Sequence, residues 1–314
     1  MTISLGLFAY IVTRPAILHA DWGYMLANLR PWPWLLGLAV YFVAIGLSVF
    51  KWQYLLNTLD VRVPYPSLFR HNLVGLFFAN LLNMIGADVA RGWDLARDME
   101  GRPGVNALIA VSVLVDRLVG LAAFLVAAVV GLAYAVVGLG RADMGWLLTT
   151  MIVVLAGYAL AFALLMSQRL RGLVEKVFRL GPLVRLLPLY RRLSDSVQVY
   201  RTHAGALVVA FGLGLATVAG TCVVNYLAAL TVGADVPAVW VFILTPLTAF
   251  VPFIPSIAAG LGVNQGVFVA LYSSLTGLLS ASDALAMSLA MQIIIYAASL
   301  PGGVLWLVKR SRPG

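Results

Sequence analysis

Charge is scarce in this chain. Asp, Glu, Lys and Arg make up 11% of its 314 residues, while 62% are hydrophobic and the mean hydropathy is +0.98. A soluble domain is about a quarter charged. That shortage excludes a water-soluble globular chain and leaves a polytopic membrane protein. Cysteine is scarcer still: Cys222 is alone, so it can build neither an internal disulfide nor a cysteine-based metal cluster. His19, His71 and His203 have no metal-ligand spacing, and no G-x-x-x-x-G-K-S/T loop is present to cradle ATP phosphates. No metal, no nucleotide and no other cofactor is therefore expected, and no catalytic residue is assigned. The first apolar segment lacks an A-x-A-like site with a polar flank, so a cleavable signal peptide is not expected. In a soluble chain the net charge of +9 would point to nucleic acid. Here it reflects the basic loops that set membrane topology, and no nucleic-acid partner is expected.

What is present is a series of long apolar runs. Six reach the roughly 20 residues that a bilayer requires: 3–19, 33–56, 104–137, 146–168, 204–232 and 283–308. The stretch 168–202 carries Arg169, Arg171, Lys176, Arg179, Arg185, Arg191, Arg192 and Arg201 against Glu175 and Asp195, and the tail at 309–312 reads KRSR. Both are expected to be cytoplasmic. Two further apolar stretches, 66–100 and 238–280, are interrupted, the first at Asn83–Gly86 and the second by Pro252, Pro255, Gly260 and Gly262. Counting crossings from the basic loops makes each enter and leave on one side, 66–100 from the cytoplasm and 238–280 from outside. The expected architecture is a single all-α integral membrane domain over 1–314, with about six transmembrane helices and two oppositely oriented re-entrant hairpins, like an inverted repeat. Both termini come out cytoplasmic. Ordinary spans kinked by Pro and Gly are the alternative. Trp22, Trp32, Trp34, Trp146 and Trp240 would mark the outer interface, and Trp52, Trp93 and Trp306 the inner one. The basic 169–203 stretch reads either as an amphipathic helix on the inner leaflet or as a plain loop. The glycines at 212, 214 and 220 read as close helix packing.

The charges that do occur inside apolar sequence are the candidate site. In NLLNMIGADVARGWDLARD, a return limb that is helical from Val89 and surfaces near Met99 places Asp88 roughly 15–18 Å deep. In VLVDRLVG, Asp116 and Arg117 fall roughly 18 Å deep by the same rise, near the middle of a ~30 Å core. Asp88, Arg91, Asp116 and Arg117 thus share a depth where charge is costly and usually paired. Neighbours on one helix point about 100° apart, so Asp116 and Arg117 each need a partner elsewhere. Asp88 also reads as a helix N-cap, and Arg91 as a salt-bridge partner or, by its planar fork, as a phosphate contact. Asp94, Arg97, Asp98 and Glu100 read as a solvated face, with Arg97 a candidate head-group contact, and Lys51 as a snorkelling side chain.

Four pieces in order, KWQYLLNTLDVRVPY, NLVGLFFANLLNMIGADVARGW, VLVDRLVGL and PSIAAGLGVNQGVF, give the chain a resemblance to the lysylphosphatidylglycerol synthase transmembrane-region, or flippase-like, membrane proteins. That family includes the N-terminal part of the multiple peptide resistance factor and stand-alone relatives, some linked to hopanoid biosynthesis. The first hairpin of the family resembles N-x-x-L-P-x-x-x-G-G-D-x-x-R. Gly86, Asp88 and Arg91 match it here, and Ala87 replaces the second glycine. The last motif resembles G-G-L-G-x-R-E, where this chain has Asn264 and Gln265 in place of Arg and Glu. Gln265 cannot carry a proton.

The resemblance implies a lipid flippase or scramblase of the bacterial inner membrane that moves a polar or anionic head group between leaflets, with Asp88, Arg91, Asp116, Arg117, Asn264 and Gln265 as lipid-binding residues. Its partner would be a membrane phospholipid or an isoprenoid-type lipid. A homo-oligomer and a lipid-biosynthesis enzyme partner are both compatible with it. The chain ends six residues after the last expected helix, so no soluble aminoacyl-transfer domain is expected. The alternative is a membrane-embedded enzyme, or an accessory subunit, acting on a polyprenyl-phosphate, hopanoid or other lipid, with Asp88 as its base.

Overall fold

The computed structural model describes residues 29–81, 84–99, 104–167, 187–248 and 262–310, together with Gly23, Gly172 and Lys176. Ten α-helices follow one another there, and the described residues contain no strand. They are α1 (Pro31–Thr58), α2 (Tyr65–Leu81), α3 (Met84–Asp98), α4 (Val105–Ala133), α5 (Gly145–Met166), α6 (Leu187–Gln198), α7 (Ala204–Thr231), α8 (Ala238–Leu244), α9 (Val263–Phe268) and α10 (Ala281–Arg310). Five segments are long and apolar enough to cross a membrane: Pro31–Thr58, Val105–Gly138, Ala142–Met166, Arg201–Thr231 and Ala281–Lys309. The sixth expected span, 3–19, lies outside the described residues. So do Trp22, Glu100, the break at Pro252, Pro255 and Gly260, and all but Lys176 and Gly172 of 168–186.

Local sequence sets the ends of these helices. Pro31 and Pro33 open α1, where a missing N–H costs nothing. The N–H of Arg30 donates to the Thr231 carbonyl at 2.9 Å, tying the start of α1 to the end of α7. Gly233, at φ 70°, closes α7 in a left-handed turn in which the Ala234 N–H returns to the Ala229 carbonyl at 3.0 Å. Along the α1–α7 and α4–α7 seams small residues meet. A Cβ on Gly220 would sit 3.2 Å from Ala44, and one on Gly214 would sit 3.0 Å from Ala123. Gly212 has open space beside it, so two of the three glycines in that pattern make the seam.

The helices α2 and α3 form a helical hairpin of 17 and 15 residues. At 1.5 Å per residue each limb is roughly 22–26 Å long, short of the ~30 Å hydrocarbon core. The hairpin packs on α1, α4 and α10. Its tip differs from the sequence expectation: α3 starts at Met84, so Gly86 lies inside the helix and Asp88 is in its second turn, not at its N-cap. Helix α8 continues as a tight turn to Thr248, and α9 runs on as a π-helix, Val269–Leu275. Two apolar cores result. One gathers Trp52, Leu55, Leu56, Val115 and Tyr200; the other gathers Trp240, Leu244, Phe268, Tyr272 and Met291. Trp52 and Trp240 therefore belong to the interior, not to interface belts, because each fills a core and has a cation over its ring: Arg91 at 4.7 Å and Arg141 at 5.4 Å from the ring centroids. Trp32, Trp93 and Trp146 are exposed. Helix α6 lies against α5 with Leu187, Ser194 and Val197 buried.

Candidate functional site

The hairpin meets α1 and α4 through charge. Asp116, in the middle of α4, is 3% exposed and receives two cations. Lys51 Nζ lies 3.0 Å from its Oδ1, and Arg91 Nη2 donates to its Oδ2 at 2.9 Å. The same Nη2 lies 3.1 Å from Asp88 Oδ1, and Arg117 Nε donates to Asp88 Oδ2 at 2.5 Å. The result is an alternating ladder, Lys51–Asp116–Arg91–Asp88–Arg117, in which every carboxylate oxygen faces a cation. Three helices supply it: α1 gives Lys51, α3 gives Asp88 and Arg91, and α4 gives Asp116 and Arg117. Asp88 and Arg91 are three residues apart and share a helix face. Asp116 and Arg117 are adjacent and point to different partners, as their helical angle requires.

Lys51 departs from the snorkelling expectation. It is 5% exposed, pairs with the Asp116 side chain, and also donates to the Asp116 carbonyl at 3.3 Å. A buried carboxylate at that depth outcompetes distant water for the ammonium. Arg91 is equally committed. Its Nη1 donates to Asn72 Oδ1 at 3.3 Å, and its guanidinium plane lies over Trp52. Trp52 in turn donates from Nε1 to Ser112 Oγ at 3.0 Å, and Ser112 donates to the Ile109 carbonyl at 2.7 Å. Arg117 differs from the other two cations: its side chain is 42% exposed, and its two Nη groups bond to none of the described residues.

A second cluster closes the open end of the hairpin. His71 is fully buried, with Nδ1 2.6 Å from Asp94 and Nε2 3.3 Å from both Ser67 Oγ and Asp98. Lys309, at the end of α10, donates to Asp94 at 2.8 Å and to Asp98 at 2.7 Å, and Arg70 reaches Asp98 at 3.4 Å. Asp94 and Asp98 therefore fasten the hairpin to α10. They are not a plain solvated face, because their cationic partners come from α2 and α10. Arg97 remains exposed, 5.3 Å over the Trp93 ring.

Asn264 and Gln265 stand elsewhere, on α9, which packs against α10. Asn264 is partly exposed. Gln265 is fully buried, and its Oε1 accepts the N–H of Gly262 at 2.6 Å, where Gly262 holds φ 86°. Its Nε2 has no partner among the described residues.

Sequence reasoning missed Lys51, Asn72, Trp52, His71 and Lys309. A lysine inside the apolar SVFKWQYLL run was the one available signal for the first of them. The others show themselves only through partners far along the chain.

The fold and these contacts define a class: an all-α, multi-pass membrane protein with an ion-pair ladder built into its span. Within that class the chain belongs to the lysylphosphatidylglycerol synthase transmembrane-region family, whose model matches residues 1–303. Comparison with curated proteins gives no match, and comparison with solved structures gives none.

Proposed function

We propose that this protein is a flippase or scramblase, moving a lipid with an anionic or polar head group between the leaflets of the bacterial inner membrane. Both termini are cytoplasmic in this reading, and the α2–α3 hairpin is re-entrant. The observation that carries it is the ladder: three cations face two carboxylates, and the surplus positive charge rests on Arg117, whose Nη groups bond to none of the described residues. A planar fork left open beside apolar surface suits a phosphate. The short limbs of the hairpin and the family's description, which names a lysylated phosphatidylglycerol, support the same reading. The enzymatic alternative needs a carboxylate base. Asp88 and Asp116 suit that role poorly, because every oxygen of both faces a cation.

The test uses purified protein in vesicles that carry fluorescent phosphatidylglycerol, with a membrane-impermeant quencher added outside. Accelerated quenching of the inner-leaflet lipid, with no new lipid product by mass spectrometry, is expected. Arg117→Gln should keep the parent melting temperature to within the effect of an exposed pair, about 0–1 kcal/mol, while slowing movement at least tenfold. Arg117→Lys keeps the charge but not the fork and should fall between them. A folded parent that moves no lipid, or a new lipid product, would overturn the reading.

A further inference from the structure

We infer that one face of α10 is a neutral hydrogen-bonding track that receives the uncharged polar groups of the transported head group; the inference rests on the transport reading above. Ser288, Gln292 and Ser299 lie four and seven residues apart on α10, one helical face, and are at most 3% exposed. Both amide atoms of Gln292 are buried and neither makes a well-formed hydrogen bond to a described residue, the Tyr296 side chain one turn on approaching without closing one. A glutamine carboxamide in an apolar span with neither end bonded is costly, and native proteins keep such groups when a ligand or water completes them.

The elements packed against that helix repeat the pattern. Helix α9 with its π-helical extension is joined to α10 by a short turn. Gln265 stands on α9, which packs against α10. Gln265 Nε2 is also buried and has no partner among the described residues. Two turns further along α10, Ser299 accepts from Asn80 Nδ2 at 2.6 Å, and Asn80, the third such residue, has a buried Oδ1 without a partner among the described residues. Asn80 belongs to α2, near the tip of the hairpin whose other limb carries Asp88 and Arg91. The α10 face therefore runs from α9 to the hairpin tip, with orphaned amide groups at both ends.

The chemistry of the track is distinct from that of the ladder. Between Asp283 and Lys309, α10 has no charged residue. Orphaned donors and acceptors are both present, so the group that satisfies them must both accept and donate: an alcohol or amide of a head group, or water between transport events. A fully ionised phosphate can only accept hydrogen bonds and suits the ladder instead.

Two probe lipids separate these sources: phosphatidylglycerol, whose head group carries two hydroxyls, and phosphatidic acid, which offers phosphate alone. Two readouts are taken, the melting temperature of detergent-purified full-length protein with each lipid and movement of fluorescent forms of each in vesicles. The parent should melt higher with phosphatidylglycerol than with phosphatidic acid and move it faster. Gln292→Met removes both orphaned atoms at nearly constant shape, so it should melt no lower than the parent without lipid. It should also erase the melting difference and cut the preference in movement roughly threefold to tenfold, the worth of about one hydrogen bond. Gln292→Asn retains the amide and should keep part of the preference. Should Gln292→Met not fold, Ser299→Ala reads the same track and should weaken the preference likewise. A parent indifferent between the two lipids overturns the track, as does a folded Gln292→Met protein with the parent's preference intact. Equal slowing of both lipids with unchanged preference assigns the face to water alone and also overturns it. Failure of the parent to move either lipid overturns the transport reading, whereas the melting comparison judges the track by itself.

Discussion

Asp116 receives Lys51 on one oxygen and Arg91 on the other, with all three side chains close to fully buried. Removing the acid strands two cations inside the span, and breaking a buried pair costs about 3–5 kcal/mol. Asp116→Asn should therefore melt far below the parent, and adding Lys51→Met should recover part of the loss by removing one stranded charge. Thermal melting in detergent of the single and double variants checks this, and an unchanged melting temperature for Asp116→Asn would mean that the ladder carries no stability. Asp88, Arg91, Asp116 and Arg117 were legible in the sequence because charge in apolar sequence has to be paired, and their helical angles dictated that each look beyond its neighbour. Lys51 was not legible. It sits 65 residues from Asp116, near the end of its helix, and only the packing of α1 on α4 brings the two together. The orphaned amide of Gln292 was likewise hidden, since a glutamine in an apolar helix has no sequence signature of being unpartnered.

Among the described glycines, the tightest packing between elements is where α10 meets α2. A Cβ placed on Gly302 would collide with the Leu73 carbonyl oxygen, and one on Gly303 would lie 2.7 Å from the Phe77 ring. Backbone cannot yield as a flexible side chain does, so Gly302→Ala should push α2 off α10 and destabilise by about 1–3 kcal/mol, as overpacking does. Gly157→Ala on α5 provides the control. Nothing lies within 4 Å of its Cβ position, and none of the residues of α5 is buried. That substitution should be neutral or stabilise by up to about 1 kcal/mol through helix propensity. The two melting temperatures should move in opposite directions, and equal shifts would refute the close α2–α10 contact. Helix ends were readable because hydropathy falls sharply where α1, α4, α5, α7 and α10 stop. The hairpin tip was less so: Asn83–Gly86 reads as a break, yet a glycine is tolerated inside a helix, and α3 starts at Met84.

At the scale of the whole molecule, the hairpin and α10 are fastened to each other at both ends. Lys309 ties α10 to Asp94 and Asp98 at one end, and Asn80 ties to Ser299 at the other. The charged ladder and the neutral α10 face then flank the same hairpin, one on each side, and a head group passing along the hairpin would meet phosphate-suited and hydroxyl-suited groups in one passage. This arrangement depends on α2 and α3 entering and leaving the bilayer on one side. Their limbs of 17 and 15 residues are too short to cross comfortably, whereas the five long helices are not. The expected topology puts Pro66 and Gly104 on the cytoplasmic side and Asp235 and Ser282 outside. Single cysteines at these four positions, in a Cys222→Ala background that removes the buried native thiol, can be labelled with a membrane-impermeant maleimide in right-side-out and inverted vesicles. Cysteines replacing Asp235 and Ser282 should react only in the former, and those replacing Pro66 and Gly104 only in the latter. Opposite accessibility of Pro66→Cys and Gly104→Cys would make α2–α3 a crossing element. The ladder would then line a span instead of a dead-ended hairpin, and the head group would have to pass along a different side of Asp88.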